Sequence, residues 1–312
     1  MLHARENHSR EVEFLIVGFS DFPHLRLPLY LFFLLVYILT LVGNLVLIIV
    51  IVLSPKLKTP MYFFLCNLSS LDIAYTSVTA PKLIHIFAVN NHRISFWQCI
   101  AQLYFFIAFG STEYLLLTLM SYDRYVAVCK PLHYRVVMSP MLCRAGAAGT
   151  WIGGLLASIP TATAAANIYY CSNNIIINHF FCDMMALVKL ACSDTTMTRA
   201  VIFVEGMLIL MTCFLLTVIS YICILSTIVR IHSSGGKFKA FSTCASHLSV
   251  VSIFYVLIFY LYLKPKSEIS LSQGKLLTVL YVYFIPMFNP IVYSFRNKDV
   301  QMALKKLFDK GH

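Results

Sequence analysis

Seven runs of about 20 or more mostly apolar residues follow one another along this chain, and no other feature limits its fold so strongly. They extend from Leu27 to about Val52, Met61 to Lys82, Cys99 to Tyr122, Met141 to about Ala164, Thr198 to Ile231, Lys239 to Leu263 and Lys275 to Phe295. Each is long enough to cross a hydrocarbon layer about 30 Å thick as a helix. No water is available there to pair exposed backbone groups, so a spanning segment must satisfy its own. Charged residues make up only 12% of the chain, against about 25% in soluble domains, and the mean hydropathy is +0.79. So few charges cannot clothe a water-facing surface. The expected fold is therefore an all-α membrane protein, a bundle of seven transmembrane helices. The first run is too long for a signal-peptide core and lacks a cleavage site, so it reads as a span that also serves as an uncleaved anchor. The absence of internal repeats counts against solute carriers built from duplicated halves.

The net charge of +11 is spread in small clusters between the apolar runs. A nucleic-acid binder gathers its cations in a dense patch, so no nucleic acid is expected. One set of connections holds Lys56, Lys58, Arg124, Lys130, Arg135, Arg144, Arg230, Lys237, Lys239, Arg296, Lys298, Lys305, Lys306 and Lys310, which is 14 of the 24 basic residues. The basic side faces the cytoplasm. The N-terminus is then outside and the C-terminus inside, which needs an odd number of spans. Asn7-His8-Ser9 is a glycosylation sequon in the outside tail. Cys171, Cys182 and Cys192 lie in the long fourth-to-fifth connection and Cys99 at the outer end of the third span. Four cysteines on the oxidising side allow two disulfides; a metal site at His179, Cys182 and Asp183 is the weaker alternative. After Phe295, Val300, Leu304, Leu307 and Phe308 form one stripe with Lys305, Lys306 and Lys310 off it. That pattern describes a short amphipathic helix on the inner surface, its lysines near anionic membrane lipids. No cysteine lies in it, so no palmitoyl anchor is expected there.

Ionisable groups inside spans are costly and are functional candidates by default. Asp72 lies in the second span, Glu113 in the third and Glu205 in the fifth, with Asn44 and Asn289 at similar depth in the first and seventh. Asp72 and Glu113 can form one polar site, either a hydrogen-bonded structural network or a site for sodium or a proton. Glu205 is nearer the outer half and within reach of a ligand. Asp123-Arg124-Tyr125 stands at the inner end of the third span. There Arg124 either pairs with Asp123 in one state and a partner in another, or snorkels to the interface.

Phe106, Gly110 and Glu113 repeat at helical spacing in the third span, beside Ile107 and Ser111; Tyr255, Phe259 and Tyr262 do so in the sixth. Such stripes describe either plain packing or the walls of an apolar pocket with a few hydroxyls, suited to a small, mostly apolar ligand. No catalytic constellation is present: there is no nucleophile elbow, no H-E-x-x-H and no phosphate loop. Neither enzyme activity nor a cofactor is expected.

Several segments together carry a family likeness. They are Gly43-Asn44; Lys58-Thr59-Pro60-Met61-Tyr62-Phe63-Phe64-Leu65; Met120 through Tyr134, reading MSYDRYVAVCKPLHY; Ser220-Tyr221; Lys239 through Leu248, reading KAFSTCASHL; and Pro286 through Tyr293, reading PMFNPIVY. On these residues the chain resembles an olfactory receptor of the rhodopsin-like class of G-protein-coupled receptors, over nearly its whole length. The loop segments NHFFCD (Asn178 to Asp183) and KLACSD (Lys189 to Asp194) resemble the tetrapod-type branch.

The resemblance implies an outer tail over 1–26, a receptor domain over 27–295 and a cytoplasmic amphipathic helix and tail over 296–312. It implies disulfides Cys99–Cys182 and Cys171–Cys192. It implies a pocket drawn from Phe106, Ile107, Gly110, Ser111, Ile202, Glu205, Ile258, Phe259 and Tyr262. Arg124, flanked by Asp123 and Tyr125, would couple to the G protein, with Tyr221, Tyr293, Asn289 and Pro290 in the switch and Tyr255 in place of the tryptophan toggle of related receptors. The implied partners are a small volatile organic ligand and a stimulatory G protein of the olfactory type that raises cyclic AMP; the implied location is the plasma membrane. The sequence departs from the family pattern at Lys58, Ser121 and Val256. Phe106 stands where amine receptors carry an aspartate, which argues against an amine ligand. The alternatives are a rhodopsin-like receptor for a non-odorant metabolite or lipid and, more remotely, a transporter. Retinal is set aside, because the seventh span has no lysine between Lys275 and Lys298.

Overall fold

The computed structural model describes residues 13–19, 23–170, 174–263, 271–296 and 298–309. Seven long helical rods cross one bundle: α1 (Arg26–Leu53), α2 (Pro60–Val89), α3 (Phe96–Cys129), α4 (Pro140–Ala157, resuming as Ile159–Ala166), α5 (Thr196–Arg230), α6 (Ser234–Leu263) and α7. The last runs from Leu271–Val279 through a wide turn at Leu280–Phe284 into Ile285–Arg296. A short eighth helix, α8 (Lys298–Asp309), follows. Five of these stretches are apolar enough to cross a membrane by length and composition: Arg26–Leu53, Phe96–Cys129, Pro140–Ala166, Thr196–Arg230 and Gln273–Tyr293. The core of α6, His247–Tyr260, is a shorter apolar stretch. The α2 helix has the length but interleaves Asp72, Lys82 and several hydroxyls with its apolar residues.

Burial runs opposite to that of a water-soluble helix. In α1, Leu27, Leu31, Leu35, Ile38, Leu39 and Val42 are exposed while Thr40 and Asn44 are fully buried. That arrangement is stable only where the surroundings are apolar and the polar groups find partners inside.

Local chemistry sets the helix ends. Pro60 and Pro140 occupy first-turn positions, where a missing N–H costs nothing. The Ser95 hydroxyl accepts from the Gln98 amide and the Gln98 side chain accepts from the Ser95 amide, a reciprocal cap that starts α3. Pro160 cannot continue the α4 hydrogen-bond ladder, and the helix breaks at Ser158. Where α4 crosses α3, a Cβ on Gly154 would stand 2.7 Å from the Ala108 carbonyl oxygen and 2.8 Å from the Thr112 nitrogen, so only glycine fits.

One end of the bundle is roofed by a three-stranded sheet that the sequence did not suggest. In it, β1 (Glu13–Ile16) lies between β2 (Arg93–Ser95) and β3 (Asn174–Ile177). It runs antiparallel to β2, with Phe14 opposite Ile94, and parallel to β3, with Phe14 opposite Ile175. The first 26 residues are thus more than a free tail, since part of them is built into this roof. Phe14 is fully buried, its ring 6.1 Å from Phe96 and 5.2 Å from Tyr170. A disulfide joins Cys99 of α3 to Cys182 in the loop after β3. Cys192 is also disulfide-bonded; its expected partner Cys171 lies outside the described residues, as does Asn7. The Gln102 side chain accepts from the Cys182 amide at 2.9 Å and donates to the Val78 carbonyl at 3.0 Å, tying loop, α3 and α2 together. Buried Lys275 of α7 donates to the Gly18 carbonyl at 2.8 Å. The roof is therefore fastened to α2, α3 and α7.

His179 sits under this roof with its Nδ1 unpartnered, its ring 4.6 Å from both Phe180 and Phe181. Burial holds its pKa below the ordinary value of 6.5, outweighing the nearby Asp183 carboxylate that pulls it up, and Lys275 adds a smaller push downward. Above 6.5 the ring is neutral whether the chain is folded or unfolded. As pH falls below 6.5 the unfolded chain takes up a proton that the folded state resists, so stability is lost with acidification. The purified protein should melt at a lower temperature at pH 5 than at pH 7.5, and His179→Phe should flatten part of that slope; an equal slope in the variant contradicts the assignment. Truncating a fully buried phenylalanine costs about 3–5 kcal/mol. Phe14→Ala should therefore release β1, seen as faster amide exchange over residues 13–17, whereas unchanged exchange would show that the strand holds without its anchor.

Candidate functional site

Three groups of side chains stand out, at different depths of the bundle. Near mid-depth the Asn289 side-chain nitrogen donates to both Asp72 carboxylate oxygens, at 3.2 and 3.0 Å, with both residues buried. Asn44 donates to the Thr40 and Pro286 carbonyls, each at 3.0 Å, which binds α1 to α7. Glu113 is buried, and its Oε1 has no hydrogen-bond partner. An unpaired carboxylate at this depth calls for a proton or a cation, which leaves both sequence readings of Asp72 and Glu113 standing. Among the described residues no three His, Cys, Asp or Glu side chains gather as a metal site. Cys182 is committed to its disulfide, which removes it from the weaker reading with His179 and Asp183.

At the end of the bundle opposite the sheet, Arg124 is 6% exposed and bound to its neighbour Asp123. Its Nε donates to Asp123 Oδ2 at 2.8 Å, and a second guanidinium nitrogen donates to the same oxygen. The other Asp123 oxygen accepts from the Tyr134 hydroxyl at 2.7 Å. Tyr134 comes from the short connection between α3 and α4. Burial and the adjacent Asp123 carboxylate hold its phenol well above the usual range, so it stays protonated and donates. Tyr221 of α5 and fully buried His247 of α6 lie 2.6 Å apart, oxygen to Nδ1. The Tyr293 hydroxyl is buried without a partner. Tyr125 packs partly buried against the Tyr221 cluster and carries the Lys130 ammonium 5.8 Å from its ring centre. Pro290 lies inside α7, its ring 3.2 Å from where a Cβ on Gly43 would be.

The nine residues expected to line a pocket do not form one continuous wall. Phe106 packs on Phe181 at 4.4 Å and Tyr75 at 5.1 Å, with Tyr281 at 6.3 Å. Gly110 faces the Tyr75 hydroxyl. Ile107 and Ile202 pack beneath the sheet with Met184 and Leu187. Ser111 is buried in α3. Ile258 is buried beside Tyr255, and Phe259 stands edge-on to Phe214 at 4.7 Å. The Glu205 carboxylate accepts from the Thr161 hydroxyl at 2.5 Å, so it is turned toward α4. The Tyr262 side chain lies outside the described residues.

Tyr255 is the joint among these groups, touching Phe254 at 5.8 Å, Phe214 at 5.1 Å and Tyr114 at 6.5 Å. The sequence reading missed Phe181, Tyr75, Tyr281, Tyr114, Phe214 and Phe254, one of which takes part in each of these ring contacts. Tyr114 was within reach, since it continues the Phe106–Gly110 stripe by one more turn. His247 was too, because the rule that singled out Asp72 applies to any ionisable group in a span. Phe181 had no such signal; only the disulfide and the loop path bring it onto Phe106.

The comparisons agree with this architecture. Residues 33–310 match the olfactory receptor family model. Olfactory receptor 5AR1 of Mus musculus is 43% identical over 98% of both chains. Olfactory receptor 1L4 of Homo sapiens is 45% identical over 94% of both. Olfactory receptor 1165 of Mus musculus is 47% identical over 96% of this chain and 95% of its own. A family match over most of the chain, on a multi-pass bundle of apolar helices, places the chain in the olfactory receptor family.

Proposed function

We propose that this chain is an odorant receptor of the plasma membrane whose sheet end faces outward and whose Arg124 end faces the cytoplasm. Residues 1–26 form its outer tail, 27–295 its receptor domain and 296–312 its inner helix and tail. A small, mostly apolar volatile molecule binds in the outer half, against α3, α5 and α6. Ile107, Gly110, Ile202, Ile258 and Phe259 make the apolar contacts, and Ser111 brings a hydroxyl. Phe106 with Phe181 closes the side toward α7, and Glu205 with Thr161 offers the polar contact toward α4. The apolar lining gives such a ligand modest affinity, since it has few atoms to contribute.

The observation that carries the reading is the buried Asp123–Arg124 pair at the opposite end. A guanidinium held by one carboxylate in a desolvated site is released only if something else takes over its bonds. Outward movement of the inner end of α6 would free Arg124 and open a cleft for a stimulatory G protein of the olfactory type, raising cyclic AMP. Tyr255 lies on the route between the two ends, because it touches the α5 and α3 aromatics that neighbour the ligand. Tyr221, His247, Tyr293, Asn289 and Pro290 are the groups whose contacts rearrange. A ligand that binds the open form better shifts the population toward it. The exposed Leu132, 93% accessible beside a hollow of about 480 Å3, supports an inner docking face.

Arg124→Ala should abolish odorant-driven cyclic AMP while surface expression persists, and an undiminished response defeats the coupling reading. Tyr134→Phe removes one hydrogen bond to a charged group, worth about 1.5–3 kcal/mol. It should raise unliganded cyclic AMP several-fold, and a basal signal equal to that of the unaltered receptor would show that Tyr134 does not hold the closed state. Phe259→Ala should move the half-maximal concentration of an active odorant upward by about tenfold; an unmoved curve takes α6 out of the pocket.

A further inference from the structure

A groove outside the proposed odorant site runs between α2 and α3 and opens to the surroundings. Its cavity is about 660 Å3, and its walls include Lys82, Val78, Gln98, Ala101, Phe105 and Phe109. The two helices are antiparallel, so Lys82 near the end of α2 pairs in depth with Gln98 near the start of α3. Ala74, eight residues before Lys82, lies with Phe109 at the foot, roughly 12 Å deeper at 1.5 Å per residue. The head of the groove is thus polar and the foot apolar. Trp97, next to Gln98 in α3 and 58% exposed, lies at the depth of the head, where aromatic residues gather at a membrane–water interface. The foot then lies in hydrocarbon. Phe105, 43% exposed, shows that the foot opens toward lipid.

Lys82 is the distinctive group. Among the described residues its ammonium donates only to backbone carbonyls, at 2.5 Å to Arg93 and 3.5 Å to Asn91. The neighbouring cation Arg93 is already paired with Glu13 at 3.2 Å. Among the described residues no carboxylate pairs with Lys82. A cation at the head of an apolar slot, held in place by carbonyls and lacking a counter-ion, is complementary to an anion on an apolar chain.

We propose that this groove is a lipid-facing site for a single-chain carboxylate amphiphile, a long-chain fatty acid of the leaflet at the sheet end. Its carboxylate rests on Lys82 and its chain lies along Ala101, Phe105 and Phe109. One cation and one slot suit one chain, whereas a diacyl phospholipid brings two. The site adjoins the roof through Arg93 and Ile94 of β2, so its occupancy steadies the strand that holds β1.

The test uses full-length receptor in phosphatidylcholine nanodiscs and palmitic acid carrying a diazirine, with cross-linked peptides read by mass spectrometry. Label is expected in the peptides spanning 74–82 and 98–109. Lys82→Gln should cut it about tenfold, the loss of one charged contact, while Lys82→Arg keeps it. Ala101→Trp, which fills the slot, should remove it. On the unaltered receptor, palmitic acid should compete and hexadecanol and lysophosphatidylcholine should not. Equal labelling in Lys82→Gln, label confined to other peptides, or equal competition by hexadecanol each overturns the proposal. The competition arm needs no variant, so a misfolded substitution cannot shield it.

Discussion

Asp72 and Asn289 meet in a medium that offers neither of them anything else. Hydrocarbon supplies no hydrogen bonds, so each polar group in the bundle must find its partner on another helix or on its own backbone. The α2–α7 contact through Asp72 and Asn289 and the α1–α7 contact through Asn44 and Pro286 follow from that constraint. Apolar packing alone gives little direction, since lipid tails are as apolar as leucine. The polar pairs fix which helices are neighbours and how they are turned. Glu113 and Tyr293, each buried with an oxygen unpaired, are among the places where the constraint is left incompletely met, and such places are where a membrane protein can change state.

The same logic separates the two ends. At the Arg124 end, the closed state is stored in charges and hydroxyls: Asp123 with Arg124 and Tyr134, and Tyr221 with His247. At the sheet end, order comes from aromatics and backbone pairing, with Phe14, Phe180 and Phe181 fully buried beneath the strands. Between them stands a run of rings, Phe259, Phe214, Tyr255, Phe254 and Tyr114. Aromatic side chains repack as units rather than deforming smoothly, so a small shift at one end is passed on as a change of packing.

Much of this was legible in the sequence where the signal is local. Apolar length gave seven spans, but two helices outlast their apolar runs: α2 passes through Pro81 and reaches Val89 rather than Lys82, ending where Asn90 turns left-handed at φ 59°, and α3 reaches Cys129 rather than Tyr122. The intramembrane carboxylates pointed to the polar network without naming Asn289 as the partner of Asp72. The roof was not legible. Glu13-Phe14-Leu15-Ile16 is only four residues, and its partners lie about 80 and 160 positions away, beyond any periodicity. Glu205 shows the same limit, for its place in α5 was clear while its contact with Thr161 of α4 depends on the break at Ser158.

The central claim is that a ligand at the sheet end and the Arg124 pair at the other end are coupled through movement of α6. Spin labels at exposed positions 144 and 237, near the Arg124 ends of α4 and α6, would measure it by electron–electron double resonance in nanodiscs. With an odorant that activates the receptor in a cyclic AMP assay, the account predicts a new population at longer separation that grows with occupancy. A distance distribution unchanged at saturating odorant would contradict it.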